Sequence, residues 1–466
     1  MERFFQLKKR GTTIKTEIFA GITTFMAMAY ILMVNAGMFA ELGVVSYNAI
    51  YISTALSAVV GTLLMGLLAD LPLAQAPGMG LNAFFVYTVC LGFGLSYANA
   101  LVLVLIEGIV FVILTLTGIR AKIFDAIPEP VCMAIPAGIG LFIAFLGLQS
   151  AGIVVSDTST GVSLASFNVI GGTVSWDTVM PMLVTIFTLI FISVLTIKKI
   201  KGSVLWGILG GTAVYYIFGF TSKGFYNDFL GSNFSFNPFT AFKEFGVEAF
   251  GKVFTKGFDF SGYLETHSAS SLIILLVTTS LAFCLVDMFN TLGTLYGACS
   301  RGNILTKEGE IPSFENAMLS DAIATCCGSV CGTSTITTFV ESSAGVAEGG
   351  KTGLTAIVTA CMFFFAMFLS PLASLIPGCA ISAALIYVGV LMINCVTNID
   401  WNDLESSLPA FMTVAMMPFT YNISYGISFG LISYVLVKLF IGKAKEVKTE
   451  TMVIAVLFGI MFFVTH

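Results

Sequence analysis

Apolar segments of membrane-spanning length follow one another along almost the whole chain, and they constrain its fold more than any other feature. A helix that crosses the hydrocarbon core of a bilayer needs about 20 mostly apolar residues. Segments that meet or approach this length are 18–38, 47–69, 71–93, 97–118, 129–149, 176–198, 203–220, 271–296, 315–331, 333–346, 352–373, 379–397, 406–421 and 423–441. The sequence therefore predicts an all-α polytopic membrane protein with about fourteen transmembrane segments.

Composition supports a membrane protein, because 57% of the 466 residues are hydrophobic and only 10% are charged. A soluble domain carries roughly 25% charged residues. The last apolar segment, 451–464, is too short to span comfortably, so it is either an extra helix or an interfacial segment. The basic N-terminus lacks the cleavage site expected of a signal peptide.

Basic residues predict an orientation, because cytoplasmic loops carry an excess of Lys and Arg. With the N-terminus in the cytoplasm, the cytoplasmic segments hold Lys8, Lys9, Arg10, Arg120, Lys122, Lys198, Lys199, Lys201, Arg301, Lys307, Lys351, Lys443, Lys445 and Lys448. The short outer segments without Lys or Arg are 39–46, 94–96, 150–175 and 374–378. The long loop 221–270 is exempt from this rule because of its length. We therefore expect a multi-pass plasma-membrane protein with a cytoplasmic N-terminus.

The two halves of the chain are weakly similar. The Thr-Thr pair that begins at Thr23 precedes Asn35 at the same offset as the pair that begins at Thr278 precedes Asn290. An odd number of spans in each half places the second half upside down relative to the first. The sequence thus predicts two inverted repeats of seven segments, a pattern typical of secondary transporters.

The third span of each half is interrupted by polar or helix-breaking residues. Segment 75–85 contains one proline and two glycines, which should break a helix. Segment 332–345 contains six hydroxyl side chains before Ser343 and one carboxylate, Glu341. Paired interruptions of this kind indicate a transporter's binding site near the bilayer midplane. The alternative is a kink with a purely structural role.

Further acidic side chains lie within predicted spans, where an ionisable group needs a partner, water or a ligand. Asp287 and Asn290 share one face of the eighth span. We expect Asp287 to bind substrate or a proton; the alternative is a structural acid with a partner. For Glu107 and Asp321, structural and functional roles remain equally open. At the cytoplasmic end of the tenth span, Glu348 and the basic residue three positions later are expected to form a solvated pair.

Sequence motifs disfavour several other functions. The chain has no Gly-x4-Gly-Lys-Ser/Thr motif, so ATP-driven transport is disfavoured. It also lacks an HExxH motif, a Cys/His metal set and a nucleophile elbow, so we expect no enzyme activity, metal or cofactor. A secondary transporter is the main hypothesis, and a channel is a weaker one. No interaction with nucleic acid is expected.

The predicted site suits a heterocycle with several hydrogen-bonding groups, because carboxylates, an amide and hydroxyls surround it. A simple anion would be repelled by Glu341 and Asp287. Four phenylalanines lie close in sequence and could stack on a ring: Phe84, Phe85, Phe289 and Phe339. A buried carboxylate resists ionisation, so Glu341 or Asp287 could bind a proton and couple its movement to that of substrate.

Segments 75–85, 287–294 and 332–345 resemble the signatures of the AzgA-like purine permeases. This branch of the nucleobase transporter (xanthine/uracil permease) family includes hypoxanthine/guanine and adenine permeases. The resemblance covers nearly the whole chain and implies import of purine nucleobases by proton symport. The alternative function is an anion transporter of the same fold, of the sulfate or bicarbonate type. Related folds also form homodimers through their gate domains.

The resemblance also implies site residues and domains. By analogy, Gly80, Asn82, Asp287 and Glu341 match the family's purine-contacting positions. We also expect Thr338 and Phe289 to bind substrate. Asn290 occupies a position that is typically Asp in this branch, which leaves Glu341 and Asp287 as the proton-coupling residues and gives Asn290 an effect on coupling.

The expected divisions are an N-terminus (1–16), a first repeat (17–220), an outer loop (221–270), a second repeat (271–441) and a basic linker with an apolar tail (442–466). Substrate would lie between a core (17–118 and 271–373) and a gate (119–220 and 374–441), with a short strand and a half-helix in segments 3 and 10.

Overall fold

The computed structural model describes residues 5–117, 127–219, 237–302, 304–306 and 311–465, and this part of the chain is mostly helical. Nine of its helices are long and apolar enough to cross a membrane. They are Ile14–Ala40, Tyr47–Ala69, Tyr97–Thr117, Glu129–Ser150, Trp176–Ile197, Ala269–Ser300, Gly353–Ala373, Gly378–Thr397 and Ile423–Phe440. The prediction of a mostly helical chain with many helices of membrane-spanning length is thereby confirmed, whereas the count of fourteen spans stays a prediction.

The helices and strands follow one another in the order of the predicted segments. The first part contains α1 (Ile14–Met28), α2 (Tyr30–Ala40), α3 (Tyr47–Leu64), β1 (Gln75–Pro77), α4 (Met79–Ala83), α5 (Tyr97–Thr117), α6 (Glu129–Ser150), β2 (Val154–Asp157), β3 (Gly161–Leu164), α7 (Trp176–Ile197) and α8 (Ser203–Gly219). The π-helical segments Met65–Ala69 and Phe84–Gly92 continue α3 and α4.

The second part begins with short helices, and long helices then lie before and after one short strand. It contains α9 (Pro238–Glu244), α10 (Lys252–Thr255), α11 (Ser261–Leu264), α12 (Ala269–Arg301), α13 (Phe314–Cys331), β4 (Ile336–Thr338), α14 (Ser342–Ala347), α15 (Gly353–Ala366), α16 (Ser370–Ala373), α17 (Gly378–Met392), α18 (Leu404–Phe419), α19 (Ile423–Phe440) and α20 (Thr449–Thr465). Further helical turns are Phe245–Ala249, Met367–Leu369, Ile393–Asn398 and Ala444–Glu446.

Polar side chains begin many of these helices by accepting hydrogen bonds from otherwise unpaired backbone N–H groups. The Ser46 hydroxyl accepts from the N–H of Ala49 at the start of α3. The Asn422 side chain accepts from the N–H of Tyr425 at the start of α19. These caps end the extended loops that connect one membrane segment to the next.

The long helices pack in two sets. One set contains α1, α2, α3, α5, α13 and α15, and the other contains α6, α7, α8, α17, α18 and α19. Small residues allow close approach within the first set, as expected for helices packed in a membrane. A Cβ added to Gly353 would lie only 1.9 Å from the carbonyl oxygen of Gly66. Helix α12 contacts both sets, through α5 and α6.

The predicted outer loop is more structured than the sequence indicates. Residues 237–264 form short helices that we call the cap, and the cap packs on the first helix set. The amide of Asn99 donates hydrogen bonds to the carbonyls of Gly257 (2.7 Å) and Asp259 (2.8 Å). The N–H of Gly251 donates to the carbonyl of Val330 at 2.8 Å. The prediction of a polar loop missed this cap because its contacts come from distant helices.

The packing bears on two other expectations. The apolar tail forms α20, and its Phe458 and Met461 side chains are buried against the body of the protein. The predicted pairing at the tenth span is wrong: Glu348 forms an ion pair with Lys201 at 2.7 Å, since the turn after α7 approaches it. Several predicted cytoplasmic basic groups lie outside the described residues, namely Arg120, Lys122, Lys307 and the Arg301 side chain.

Candidate functional site

Two short strands from distant parts of the chain meet inside the helical body. Strands β1 and β4 are antiparallel, with Gln75 opposite Thr338 and Pro77 opposite Ile336. The pairing continues at both ends, because the N–H of Gly78 donates to the carbonyl of Thr335 and that of Phe339 donates to the carbonyl of Ala74, each at 3.0 Å. The prediction of extended strands in the two interrupted segments is therefore confirmed.

The strand ends open into a cavity of about 300 Å³, which lies within the size range of small-molecule sites. Two lining segments follow the strands directly, Gly78–Gly80 after β1 and Thr337–Glu341 along and after β4. The N-termini of α4 and α14 are next to these segments. The predicted site residues Gly80, Thr338 and Glu341 therefore line one cavity, although they come from two distant segments of the chain.

Glu341 is the carboxylate among the described residues that line this cavity. Its Oε1 atom accepts a hydrogen bond of 2.6 Å from the hydroxyl of Tyr30. Tyr30 begins α2, next to Ala29, where the helix from Ile14 is interrupted. A hydrogen bond of this length has good geometry, so the contact can fix the orientation of the Glu341 carboxyl group.

Helix α12 contributes a polar face to the same cavity. Asn290, Gly293 and Thr294 line it, as their spacing of one helical turn allows. A Cβ added to Gly293 would meet no atom within 4 Å, so this glycine leaves open space beside the cavity. The side chain of Phe289 lies outside the described parts of the structure.

The opposite wall of the cavity is mainly apolar and comes from the second helix set. It consists of Pro136 from α6, Val388, Leu391 and Met392 from α17, and Cys395 from the turn that follows α17. A ligand in this space would meet hydrogen-bonding groups on one side and hydrocarbon on the other. Small-molecule sites combine these two features to gain both affinity and orientation.

A buried polar network supports the strands from behind. Both carboxylate oxygens of Asp321 accept from the Thr291 hydroxyl at 3.1 Å, and Oδ1 also accepts from the Gln75 amide at 3.1 Å. The Thr291 and Thr337 hydroxyls are 2.8 Å apart. The Glu107 carboxylate accepts from the Thr335 hydroxyl. These contacts give both acids hydrogen-bonded positions beside β4 rather than positions on the cavity wall.

Two of the predicted substrate-binding residues do not line the cavity in this conformation. Asn82 is buried, and its side chain accepts from the Ser334 hydroxyl and donates to the carbonyl of Pro77 at 3.4 Å. Asp287 is also buried, one turn before Asn290 on α12. The structure thus places Asn82 behind the strands and Asp287 within the helix packing.

The expected aromatic contacts with a ligand are only partly available. Phe339 lines the cavity. The rings of Phe84 and Phe85 are buried elsewhere, against Phe283 at 4.6 Å and Phe39 at 5.0 Å between ring centroids. Expecting these two rings to stack on a ligand was wrong, since closeness in sequence to the site does not determine which way a helical side chain points.

Sequence reasoning missed Tyr30 and the whole apolar wall. Tyr30 looks like one more aromatic residue of a membrane span, and no local motif marks it. The side chains of the apolar wall resemble those of any lipid-facing helix. Only their position opposite Glu341 distinguishes them.

Comparison with known sequences gives matches along nearly the entire chain. Residues 15–429 match the Permease family of xanthine/uracil type. The chain is 38% identical to the guanine/hypoxanthine permease PbuO of Bacillus subtilis, over 99% of this chain and 100% of that protein. It is 34% identical to the adenine permease AdeP of Escherichia coli, over 100% of this chain and 97% of that protein.

Solved structures show a similar fold at low sequence identity. The transmembrane domain of the cyanobacterial bicarbonate transporter BicA matches with a TM-score of 0.60 and 15% identity, covering 90% of this chain and 97% of that one. The inward-facing murine anion transporter Slc26a9 matches with a TM-score of 0.62 and 12% identity, covering 92% of this chain and 69% of that one. At such identity the likeness concerns the fold alone.

Proposed function

The chain belongs to the xanthine/uracil-type permease family, and from this membership we propose that it imports purine nucleobases across the plasma membrane. The observation that carries the proposal is a cavity with Glu341, Thr338 and Asn290 on one side and an apolar wall on the other. A flat heterocycle offers N–H and C=O groups at its edge and an apolar face, so it complements both walls. The names of the relatives in Bacillus subtilis and Escherichia coli support purines as the substrate class.

Our proposed mechanism is movement of a core against a gate. The cavity lies between residues of the expected core (17–118 and 271–373) and residues of the expected gate (119–220 and 374–441). The packing of the long helices in two sets supports these proposed divisions. The strands and Glu341 would move with the core and carry the substrate past the apolar gate surface. Fourteen spans in two inverted repeats and a cytoplasmic N-terminus belong to the same proposal, as does dimerisation through the gate.

We assign proton coupling to Glu341 and Asp287, with Asn290 tuning it. A protonated carboxyl would donate a hydrogen bond to a ring nitrogen or carbonyl of the substrate and also accept one from a ring N–H, whereas the ionised carboxylate can only accept, so the protonated form would bind the substrate more tightly. Substrate affinity would then depend on protonation, and the proton and substrate would cross together. Gly80 and Thr338 would contact the substrate through the backbone and a hydroxyl, and Phe339 through its ring. Asn82 and Phe289 stay in the proposal as substrate-binding residues that a different transport conformation would bring to the ligand.

Uptake of radiolabelled hypoxanthine into proteoliposomes tests this function. We expect concentrative uptake driven by an inward proton gradient, competition by unlabelled guanine or adenine, and loss of accumulation with a protonophore. Uptake at the same rate with and without the proton gradient would contradict proton coupling, but it would leave the proposal of purine transport intact. Absence of competition by any purine would show that the substrate class is wrong.

An anion transporter is the alternative function, and the cavity argues against it. Glu341 lies on the wall where an anion would bind, and like charges in a site shielded from water repel strongly. The similarity to bicarbonate-type and other anion transporters is a likeness of fold, and function depends on the site. Sulfate or bicarbonate should therefore fail to compete with purine uptake.

A further inference from the structure

We infer that Tyr30 is a positioning residue for substrate recognition: it holds one oxygen of Glu341 so that the other faces the cavity. The inference deepens the proposed function and rests on it. Tyr30 lies 311 positions from Glu341 in the sequence, and both residues line the cavity.

The contact between Tyr30 and Glu341 is a single hydrogen bond between two side chains. The Tyr30 hydroxyl donates to Oε1 of Glu341 at 2.6 Å. This distance lies within the usual range for a hydrogen bond between an O–H donor and an oxygen acceptor. Because a phenol hydroxyl has a single proton, its donation to Oε1 leaves Oε2 to accept from a ligand.

The donor, Tyr30, is held firmly by its surroundings. Tyr30 is only 1% exposed, although its side chain reaches the cavity wall. It is the first residue of α2, and the N–H of the preceding residue, Ala29, still donates to the carbonyl of Phe25 at 2.7 Å. A donor packed in this way loses little conformational freedom when a ligand binds. The Glu341 carboxylate is thereby oriented before the substrate arrives.

The fixed orientation of Glu341 affects which ligands can bind. A fixed carboxylate oxygen favours molecules that present an N–H group at the matching position. A ligand without that N–H group would bury the oxygen without a hydrogen bond, and this would cost binding free energy. Tyr30 thus contributes to the recognition of a ring N–H without touching the ligand through its own hydroxyl. Removal of that hydroxyl should weaken binding, while the Glu341 carboxylate itself remains.

Two substitutions with the same chemistry provide a matched test. Tyr30→Phe removes the hydroxyl that contacts Glu341. Tyr51→Phe removes a buried hydroxyl that donates to the carbonyl of Ala366 at 3.0 Å, and Tyr51 does not belong to the described cavity lining. We expect Tyr30→Phe to raise the KM for hypoxanthine about tenfold, the effect of losing a hydrogen bond to a charged group. Tyr51→Phe should change the KM less than about twofold.

A double-mutant cycle separates positioning from general packing. In a Glu341→Gln background, adding Tyr30→Phe should weaken binding by no more than about twofold, because the charged acceptor is already gone. Purine binding to the purified variants, measured by calorimetry, gives this coupling directly. Equal effects of Tyr30→Phe in both backgrounds would overturn the inference, as would equal effects of Tyr30→Phe and Tyr51→Phe on KM.

The same experiment distinguishes failure of the inference from failure of the proposed function. If the inference alone is wrong, the unmodified protein still takes up hypoxanthine, and Tyr30→Phe behaves like Tyr51→Phe. If the unmodified protein neither binds nor takes up any purine, the proposed function is overturned, and the role of Tyr30 in purine recognition falls with it.

Discussion

Glu341 shows how much of the proposed chemistry depends on one residue. Its carboxylate lines the cavity, accepts from Tyr30 and faces an apolar wall. A hydrogen bond to a charged group contributes about 1.5–3 kcal/mol when it is made in a shielded site. The substrate contact and the proton-coupling role proposed for this residue therefore predict a large effect of neutralising it.

Glu341→Gln should lower hypoxanthine binding by about 10- to 100-fold, because each 1.4 kcal/mol corresponds to a factor of ten. Calorimetry on the purified protein measures binding, and vesicle uptake under a proton gradient measures coupling. The control is Glu129→Gln, which neutralises an exposed carboxylate at the start of α6. Transport by Glu341→Gln at the normal rate would remove Glu341 from the mechanism.

Gly293 offers a second test at the scale of one residue, because it lines the cavity with open space around it. Gly293→Val should raise the KM for purines about tenfold by occupying ligand volume. It should not lower the melting temperature, because Gly is the less favourable of the two residues inside a helix: Gly is roughly 1 kcal/mol less favourable than Ala, and Val lies between them. Gly297→Val is the matched control, since Gly297 is one turn further along α12 and its added Cβ also meets no atom within 4 Å. An unchanged KM in Gly293→Val would place the substrate elsewhere.

The cap differs most from the structure that its sequence predicts, because it forms short helices where a loop was expected. Its short helices depend on contacts with α3, α5 and α13, because helices of four to seven residues are unstable alone. Asn99 provides two of these contacts, at 2.7 and 2.8 Å. The stability of the cap should therefore depend on a side chain that lies far from it in sequence.

Asn99→Leu should loosen the cap and increase its cleavage by trypsin after the exposed residue Lys256. Losing both hydrogen bonds leaves two carbonyls without their donor, at a cost of about 1–3 kcal/mol. Limited proteolysis of the purified protein, followed by mass spectrometry, measures the rate. Asn168→Leu is the control, since Asn168 caps a turn in a different exposed loop. Equal cleavage rates in the two variants would contradict the role given to Asn99.

At the scale of the whole molecule, the central proposal is that one helix set moves against the other. An ion pair of 2.7 Å joins Lys201, in the turn after α7, to Glu348, at the end of α14. Lys201 belongs to the expected gate and Glu348 to the expected core. The pair between Lys438 and Glu405 has the same 2.7 Å separation, but both of its residues belong to the expected gate. These two pairs allow a matched comparison.

The double variant Lys201→Cys with Glu348→Cys can be cross-linked by a short bifunctional maleimide. This cross-link should reduce purine uptake at least tenfold if the two helix sets must separate during transport. Cysteines at 438 and 405, joined by the same reagent, should leave uptake nearly unchanged. Both variants need Cys361→Ser, because Cys361 is exposed. Full uptake after cross-linking of the 201–348 pair would exclude core-against-gate movement.

Local features of the sequence sufficed for the membrane fold, the helix positions and part of the site. Apolar runs of spanning length have few alternatives in a bilayer, since each backbone N–H must be paired within the segment. The proline and glycines of segment 75–85 and the hydroxyl-rich segment 332–345 located the strands for the same reason, because irregular backbone at that depth must be covered by protein. Glu341 stood out because an ionisable group within a span is costly.

The tertiary structure decided which of these features meet. Pairing of β1 with β4, the approach of Tyr30 to Glu341 and the apolar wall all join residues that are distant along the chain. Such contacts depend on how whole helices pack and turn, and side-chain periodicity cannot determine this. The sequence by itself determined a polytopic permease with polar, interrupted segments among its helices, and only the packing of the two helix sets decided which side chains line the cavity.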